Sequence, residues 1–231
     1  LGNPIEMDKI IDFANDKNIW IIEDNCDALG SKLNGQLTGT FGDISTLSFY
    51  PAHHITMGEG GAVMTNKTSL KLSIDSFRDW GRDCWCKSGH DDTCNKRFDW
   101  QLGELPYGYD HKFTYSNIGY NLKATDLQAS IGVAQMEKLP SFIEARKDNW
   151  KKINTFIEDN DKYFISHKPT PGSDPSWFGY AISLQDDVSF NRDMLIRYLN
   201  EKRIDTRLMF GGNLIKQPAY KDKKFITSGD L

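Results

Sequence analysis

The sequence predicts an α/β fold built on a mostly parallel, helix-covered sheet, and three stretches predict it. Residues 6–17 have helical spacing, with Ile10, Phe13 and Ala14 forming an apolar stripe between charged neighbours. Ile19, Trp20, Ile21 and Ile22 follow as an unbroken apolar run that reads as a buried strand. Thr46, Leu47, Ser48 and Phe49 form a second strand-like run, which feeds a Pro-bearing turn and a Gly-Glu-Gly-Gly corner at 58–61. A helix followed by a continuous apolar strand is the repeating unit of parallel sheets, whose ligands gather at the carboxyl ends of the strands. Chemistry is therefore sought first in Glu23 to Asp27 and in the loop after Phe49.

Composition bounds what such a fold can serve. The chain has 231 residues, 39% hydrophobic and 26% charged, with a formal net charge of -4. This suits a globular protein of one or two domains with a real core. Acidic and basic residues are interspersed, which gives no electrostatic reason to expect nucleic acid or an anionic membrane as partner. No apolar run is long enough to span a bilayer and no signal peptide leads the sequence, so a cytoplasmic location is expected. The opening Leu1-Gly2-Asn3-Pro4 reads as a turn in mid-domain and the end, 227–231, as another, so the chain reads as a fragment.

The remaining elements follow in order. Asn34-Gly35 and Gly39-Thr40 are turn signals that return the chain to the strand at 46–49. A short strand at 62–65 leads to a helix over 69–80 that ends at Gly81. Residues 97–112, with Trp100, Tyr107, Tyr109 and His111, are too long for a simple connection; they line a ligand, shield a metal group or pack as a long loop. A helix over 124–139 carries Leu127, Ile131, Ala134 and Met136, and a longer one runs after Pro140 through Arg146 and Trp150 to 157. Prolines between 169 and 175 open a smaller domain, with a strand at 179–184, a helix at 192–202 and a strand at 204–210; Gly211-Gly212-Asn213 reads as a plain turn. The expected division is a large domain over 1–140, then a linker helix and an incomplete small α/β domain over 141–231.

Taken alone, each candidate site residue has a plain reading beside the chemical one. Asp24 is a turn or cap residue, or a carboxylate aimed at a ligand. Ser48 is an ordinary strand hydroxyl or an anion donor. His53 is a turn histidine or a general base, imidazole being the side chain suited to taking a proton at neutral pH. His54 points the other way from His53 in extended backbone and reads as structural. Cys84, Cys86 and Cys94 cluster in a loop, with Cys26 beside Asp24. In a reducing compartment this points to metal, and the spacing C-x57-C-x-C-x7-C leaves structural zinc and a two-iron, two-sulfur cluster both open.

The string Ser48-Phe49, position 53, then Glu59-Gly60-Gly61 resembles the active-site loop of the DegT/DnrJ/EryC1/StrS sugar aminotransferase family, S-F-x-x-x-K-x-x-x-x-x-E-G-G, with His53 at the lysine position. The resemblance implies an aspartate-aminotransferase-like (fold type I) large domain whose N-terminal part lies outside this chain. The family's lysine holds pyridoxal phosphate covalently and moves protons at the cofactor's C4′; imidazole can do only the second, which implies noncovalently held pyridoxamine phosphate. The segment E-D-x-x-x-A-x-G-S places Asp24 at the aspartate that bonds the pyridine nitrogen and keeps it protonated, and Asp27 near the ring hydroxyl. Ser48 matches the phosphate-binding serine. Tyr50 stands where histidine is common, as an acid or donor near substrate. Gly119-Tyr120-Asn121 resembles the turn whose asparagine reaches the neighbouring subunit's cofactor phosphate, which implies a homodimer.

Histidine at the lysine position together with the four cysteines resembles one branch of that family, the CDP-4-keto-6-deoxyglucose 3-dehydrases of 3,6-dideoxyhexose and lipopolysaccharide O-antigen biosynthesis. The resemblance runs over 1–231. It implies a [2Fe-2S] cluster on Cys26, Cys84, Cys86 and Cys94, removal of the C3 hydroxyl with His53 as base, and reduction through a separate NADH-dependent flavin and iron-sulfur reductase. Cys26 lies two residues beyond Asp24, a backbone offset below about 10 Å, which motivates direct electron delivery from cluster to cofactor. The alternatives are a cluster-free nucleotide-sugar 3-dehydratase, or a noncatalytic relative whose thiolates hold zinc.

Overall fold

The structure, a computed structural model, describes residues 1–86, 89, 90 and 92–229; Lys87, Ser88 and Asp91 of the cysteine loop and the final two residues lie outside the described residues. The chain divides into two compact units, Leu1–Lys151 with Lys168–Tyr180, and Lys152–His167 with Ala181–Leu231. No helix among the described residues is long and apolar enough to cross a membrane.

The first unit opens with helix α1 (Met7–Lys17), which ends where Asn18 turns left-handed at φ 48°. It buries Met7 and Ala14, while Phe13 of the expected stripe stays 57% exposed. Strand β1 (Ile22–Asp24) starts three residues into the apolar run and pairs parallel with β4 (Ile44–Ser48), setting Asp24 opposite Thr46. β5 (Gly61–Met64) pairs antiparallel on the other side of β4, in the order β1-β4-β5. Of the two ladders, therefore, one is parallel. No helix lies between β4 and β5 to carry the chain across the sheet, so β5 returns as a hairpin partner. Among the described residues β1 is one edge of this sheet and β5 the other, and Trp20 and Ile22 are 59% and 65% exposed in this chain on its own.

Between β1 and β4, the hairpin β2 (Lys32–Leu33) and β3 (Gln36–Leu37) turns at Asn34 and Gly35, with φ 49° and 82°, the left-handed pair that Asn-Gly favours. The loop after β4 is tied back by Phe49 N–H to the Gly60 carbonyl (2.9 Å) and Met57 N–H to the Phe49 carbonyl (2.9 Å). Gly61 must be glycine on space, since a Cβ there would sit 2.7 Å from the Leu47 carbonyl oxygen.

Helix α2 (Thr68–Arg78) precedes the cysteine loop, and α3 (Asp126–Met136) starts from a capping box of Thr125 and Gln128. α3 braces the loop: Gln128 Nε2 donates to the Glu59 carbonyl (3.0 Å), and Gly132 admits the buried Met57 side chain. α4 (Leu139–Glu158) follows. Residues 168–180, read from their prolines as the opening of a smaller domain, instead return to the first unit. There β7 (Ser173–Asp174) pairs with β2, and Trp177 stacks on Trp150 at 4.2 Å between ring centroids. Arg146 Nη1 donates to the carbonyls of Trp177 (3.2 Å) and Phe178 (3.0 Å), fixing the segment against α4.

The second unit pairs β6 (Phe164–Ile165) antiparallel with β8 (Ser183–Leu184) and carries α5 (Arg192–Glu201), capped by Asn191. The strand expected at 204–210 is not formed: the segment has no partner strand among the described residues, and Ile204, Leu208, Met209 and Phe210 are exposed. A short apolar run without a neighbouring ladder has nothing to pair with.

Candidate active site and cysteine cluster

Asp24 closes β1, and the parallel register with β4 supplies one of its partners. Its Oδ1 accepts from Thr46 Oγ1 (3.2 Å) and from the Cys26 N–H (3.2 Å). Hydrogen bonds from Cys26, thiol first and backbone next, hold the Asp24 carboxyl below the ordinary carboxylate range, with nearby His53 adding to the effect. The carboxylate is thus ionised at neutral pH and suited to pair with a protonated ring nitrogen. The neighbouring Glu23, by contrast, is spent on structure, accepting the backbone N–H groups of Gly39, Phe41 and Gly42 at 2.7, 2.7 and 2.6 Å.

His53 sits on the tight turn where its own N–H bonds the Tyr50 carbonyl (3.0 Å). Its Nδ1 lies 3.3 Å from Asp27 Oδ1, within ion-pair range, though the ring N–H is not aligned as a hydrogen bond. The Phe178 ring packs against the imidazole at 5.1 Å, and Tyr50 stands edge-on at 6.4 Å. The structure thus gathers Asp24, Asp27, His53 and Tyr50 around the ends of β1 and β4. Phe178 was not legible in sequence, because it arrives from a segment 125 residues downstream whose return to this unit no local pattern announces. Ser48 ends β4, half-buried, and its Oγ accepts from the Tyr50 N–H (3.3 Å) at the start of the same loop.

His54 faces the opposite way. It is 3% exposed, with Nε2 at 3.0 Å from Ser176 Oγ and 3.3 Å from the Ser176 carbonyl, and Ser176 Oγ is in turn 2.9 Å from Ser31 Oγ. Burial, reinforced by the Arg146 charge, pushes its pKa down to about 4. It is a neutral structural histidine, as its alternation with His53 suggested.

Asn121 lies on the exposed turn that docks to the end of α2: Tyr120 N–H donates to the Phe77 carbonyl (2.7 Å), Trp80 N–H to Tyr120 (2.9 Å) and Leu122 N–H to Arg78 (3.0 Å). Its Oδ1 accepts from Lys123 Nζ (3.2 Å), and Lys123 also pairs with Asp79 (2.7 Å). The Lys123 ammonium beside Asn121 is thus already paired with a carboxylate.

The thiols form a separate group. Donor atoms of Cys84, Cys86 and His111 lie within 4.8 Å of one another, and Cys94 Sγ is 3.4 Å from His111 Nε2. Two ends of the loop are clipped by Arg97, whose Nε and Nη2 reach Asp110 at 3.0 and 2.6 Å, while the His111 N–H donates to the Arg97 carbonyl (3.2 Å). A hydrogen bond from the Thr93 hydroxyl lowers the Cys86 thiol to about 7, whereas burial raises that of Cys84. The three thiols, with the imidazole beside them, are the soft donors that zinc or an iron-sulfur cluster takes. Cys26 is not in this group; it sits by Asp24 and Thr46 Oγ1 (3.6 Å), its pKa raised first by burial and then by Asp24. His111, read in sequence only as one of several ring residues of a long loop, is the member that the cysteine spacing could not reveal.

Over its full length the chain is 52% identical to the lipopolysaccharide biosynthesis protein RfbH of Salmonella typhimurium, covering 53% of that protein. It is 50% identical over 236 aligned residues to the dTDP-4-dehydro-2,6-dideoxy-D-glucose 3-dehydratase of Saccharopolyspora spinosa, covering 51% of it. The fold matches the E. coli GDP-4-keto-6-deoxy-D-mannose-3-dehydratase solved with bound hydrated PLP, with a TM-score of 0.76 and 27% identity over 94% of this chain and 53% of that one. The chain thus spans about half the length of these relatives, and its architecture is that of the aminotransferase fold expected from the sequence. With residues 1–231 all matching, the chain belongs to the DegT/DnrJ/EryC1/StrS aminotransferase family.

Proposed function

We propose that the full-length protein removes the C3 hydroxyl of CDP-4-keto-6-deoxyglucose with pyridoxamine phosphate and a [2Fe-2S] cluster, as a homodimer served by a separate NADH-dependent flavin and iron-sulfur reductase. The observation that carries this reading is His53, an imidazole at the family's lysine position, set between Asp27 and Phe178 and near an ionised Asp24. Bound pyridoxamine phosphate supplies an amine for the C4 ketone and a ring that takes up electrons, and the cluster supplies one-electron steps.

The chain's own residues then divide the work. Asp24 holds the proton on the ring nitrogen, and His53 takes a proton from the cofactor's C4′. Asp27 steadies the imidazole by charge while Phe178 fixes its plane. Ser48 and, from the neighbouring subunit, Asn121 serve the cofactor phosphate, and Tyr50 offers a phenol to the departing hydroxyl. Cys84, Cys86 and Cys94 share one site, and Cys26 is the fourth thiolate by sequence, the one nearest the cofactor.

A second reading, a dehydratase without a cluster, is favoured by Cys26 standing apart from the group of Cys84, Cys86 and His111. Visible absorption with iron and sulfide analysis of the full-length protein, purified without air, separates the two. Two irons and two sulfides per chain are expected; their absence removes the electron path. A second arm tests the base: His53→Asn is expected to keep cofactor binding and lose C4′ proton exchange with solvent, and retained exchange would reassign the base.

A further inference from the structure

We infer that His111 is a positioning residue of the cysteine site, its Nε2–H donating to the Cys94 sulfur and setting the reduction potential of the group those thiolates hold. The inference rests on the cluster reading above and concerns a residue outside the four-cysteine motif.

His111 is 1% exposed, the largest side chain among those fully buried, so its ring nitrogens have no bulk water to turn to. Nε2 stands 3.4 Å from Cys94 Sγ, hydrogen-bond range for sulfur, and a ring nitrogen lies within 4.8 Å of both Cys84 and Cys86 Sγ. The ring is held at that aim from several sides. Trp100 lies parallel to it at 7° and 6.3 Å, Trp85 stands edge-on at 5.6 Å, and its backbone is tied to Arg97, itself clipped to Asp110. As a thiol Cys94 turns its hydrogen toward Asp92 Oδ1 (3.8 Å). As a metal-bound thiolate it has no hydrogen and can only accept, so Nε2 must carry the proton.

The consequence is electrostatic. Several thiolates brought together repel one another, and adding an electron increases the negative charge further. An N–H dipole aimed at one of the sulfurs from a buried, low-dielectric position stabilises the reduced form more than the oxidised one. A hydrogen bond to sulfur thereby raises the potential, and the residues outside the ligand set are what tune it.

The test uses the full-length protein with its cluster, followed by electron paramagnetic resonance during a redox titration. Replacing His111→Leu should leave iron and sulfide content intact and lower the potential, so that the reduced-to-oxidised ratio at a fixed potential falls about tenfold, or 59 mV for a one-electron couple. His111→Gln, which keeps an N–H donor, should recover part of the shift. An unchanged potential in a cluster-bearing Leu variant overturns the inference. Should the Leu variant fail to fold, the wild-type protein with 15N-labelled histidine decides: a weak nitrogen coupling, transmitted through N–H···S, is expected. A coupling strong enough for a directly bound nitrogen, or none, overturns the inference. Absence of iron in the wild-type protein instead sinks the cluster reading itself, so the two failures are told apart.

Discussion

His53 and His54 are adjacent and have opposite surroundings, one at the rim of the strand ends and one sealed against Ser176. The sealed one carries a pH signature. Its folded pKa of about 4 lies below the ordinary 6.5, so above 6.5 both folded and unfolded states hold it neutral and its contribution is complete. As pH falls from 6.5 toward 4 the unfolded chain takes a proton that the folded chain refuses, and stability drops. The loss is about 2–3 kcal/mol across that window, the lower figure allowing for solvent screening. Urea unfolding of the full-length protein at about pH 7.5 and 5 should show it, and His54→Gln should shrink the difference. An equal difference in wild type and variant would assign the effect to other groups. The cysteine loop offers a second signature. With its pKa lowered to about 7, Cys86 should alkylate ahead of Cys84 in metal-free protein at neutral pH, its rate rising through that value. Peptide mapping after brief iodoacetamide treatment reads the order, and Cys84 reacting first would contradict it.

Elements were legible where period and punctuation are local, and illegible where neighbours decide. α2 and α3 lie where their helices are expected, and Asn34-Gly35 marks its turn, which the structure closes as the β2–β3 hairpin. The run from Ile19 to Ile22 has the composition of a buried strand, yet exposure is a property of what lies alongside, and in a chain that spans about half the length of its relatives β1 has one neighbour among the described residues. The 204–210 segment likewise has no ladder beside it among the described residues. His111 and Phe178 were out of reach because each joins its site through distant contacts, the Arg97–Asp110 clip and the Arg146 anchor on 177–178. The junction of α2 with the 119–121 turn is the element most sensitive to one atom. A Cβ on Gly119 would come within 2.2 Å of the Gly81 nitrogen, and neither backbone can retreat without breaking the Phe77 and Trp80 hydrogen bonds. Gly119→Ala should therefore destabilise by about 2 kcal/mol or more. Chemical denaturation measures it; a neutral change would show that the turn is free to move.

At the scale of the whole molecule the first unit holds both sets of site residues, the strand-end group around Asp24 and His53 and the thiol group around His111. The homodimer is the part of the proposed function that reaches beyond one chain, and Asn121 is where it can be tested. If Asn121 serves the partner's cofactor phosphate, each active site draws His53 from one subunit and Asn121 from the other. A His53→Asn homodimer and an Asn121→Asp homodimer, whose added carboxylate repels the phosphate, should then both be inactive. Unfolding and refolding them together gives about half mixed dimers, and each of these has one site with both residues intact and one with neither. The mixture should therefore regain about a quarter of the wild-type rate of C4′ proton exchange. With Asn121 acting within its own subunit, every site in the mixture would carry one defect or the other, and mixing would restore nothing.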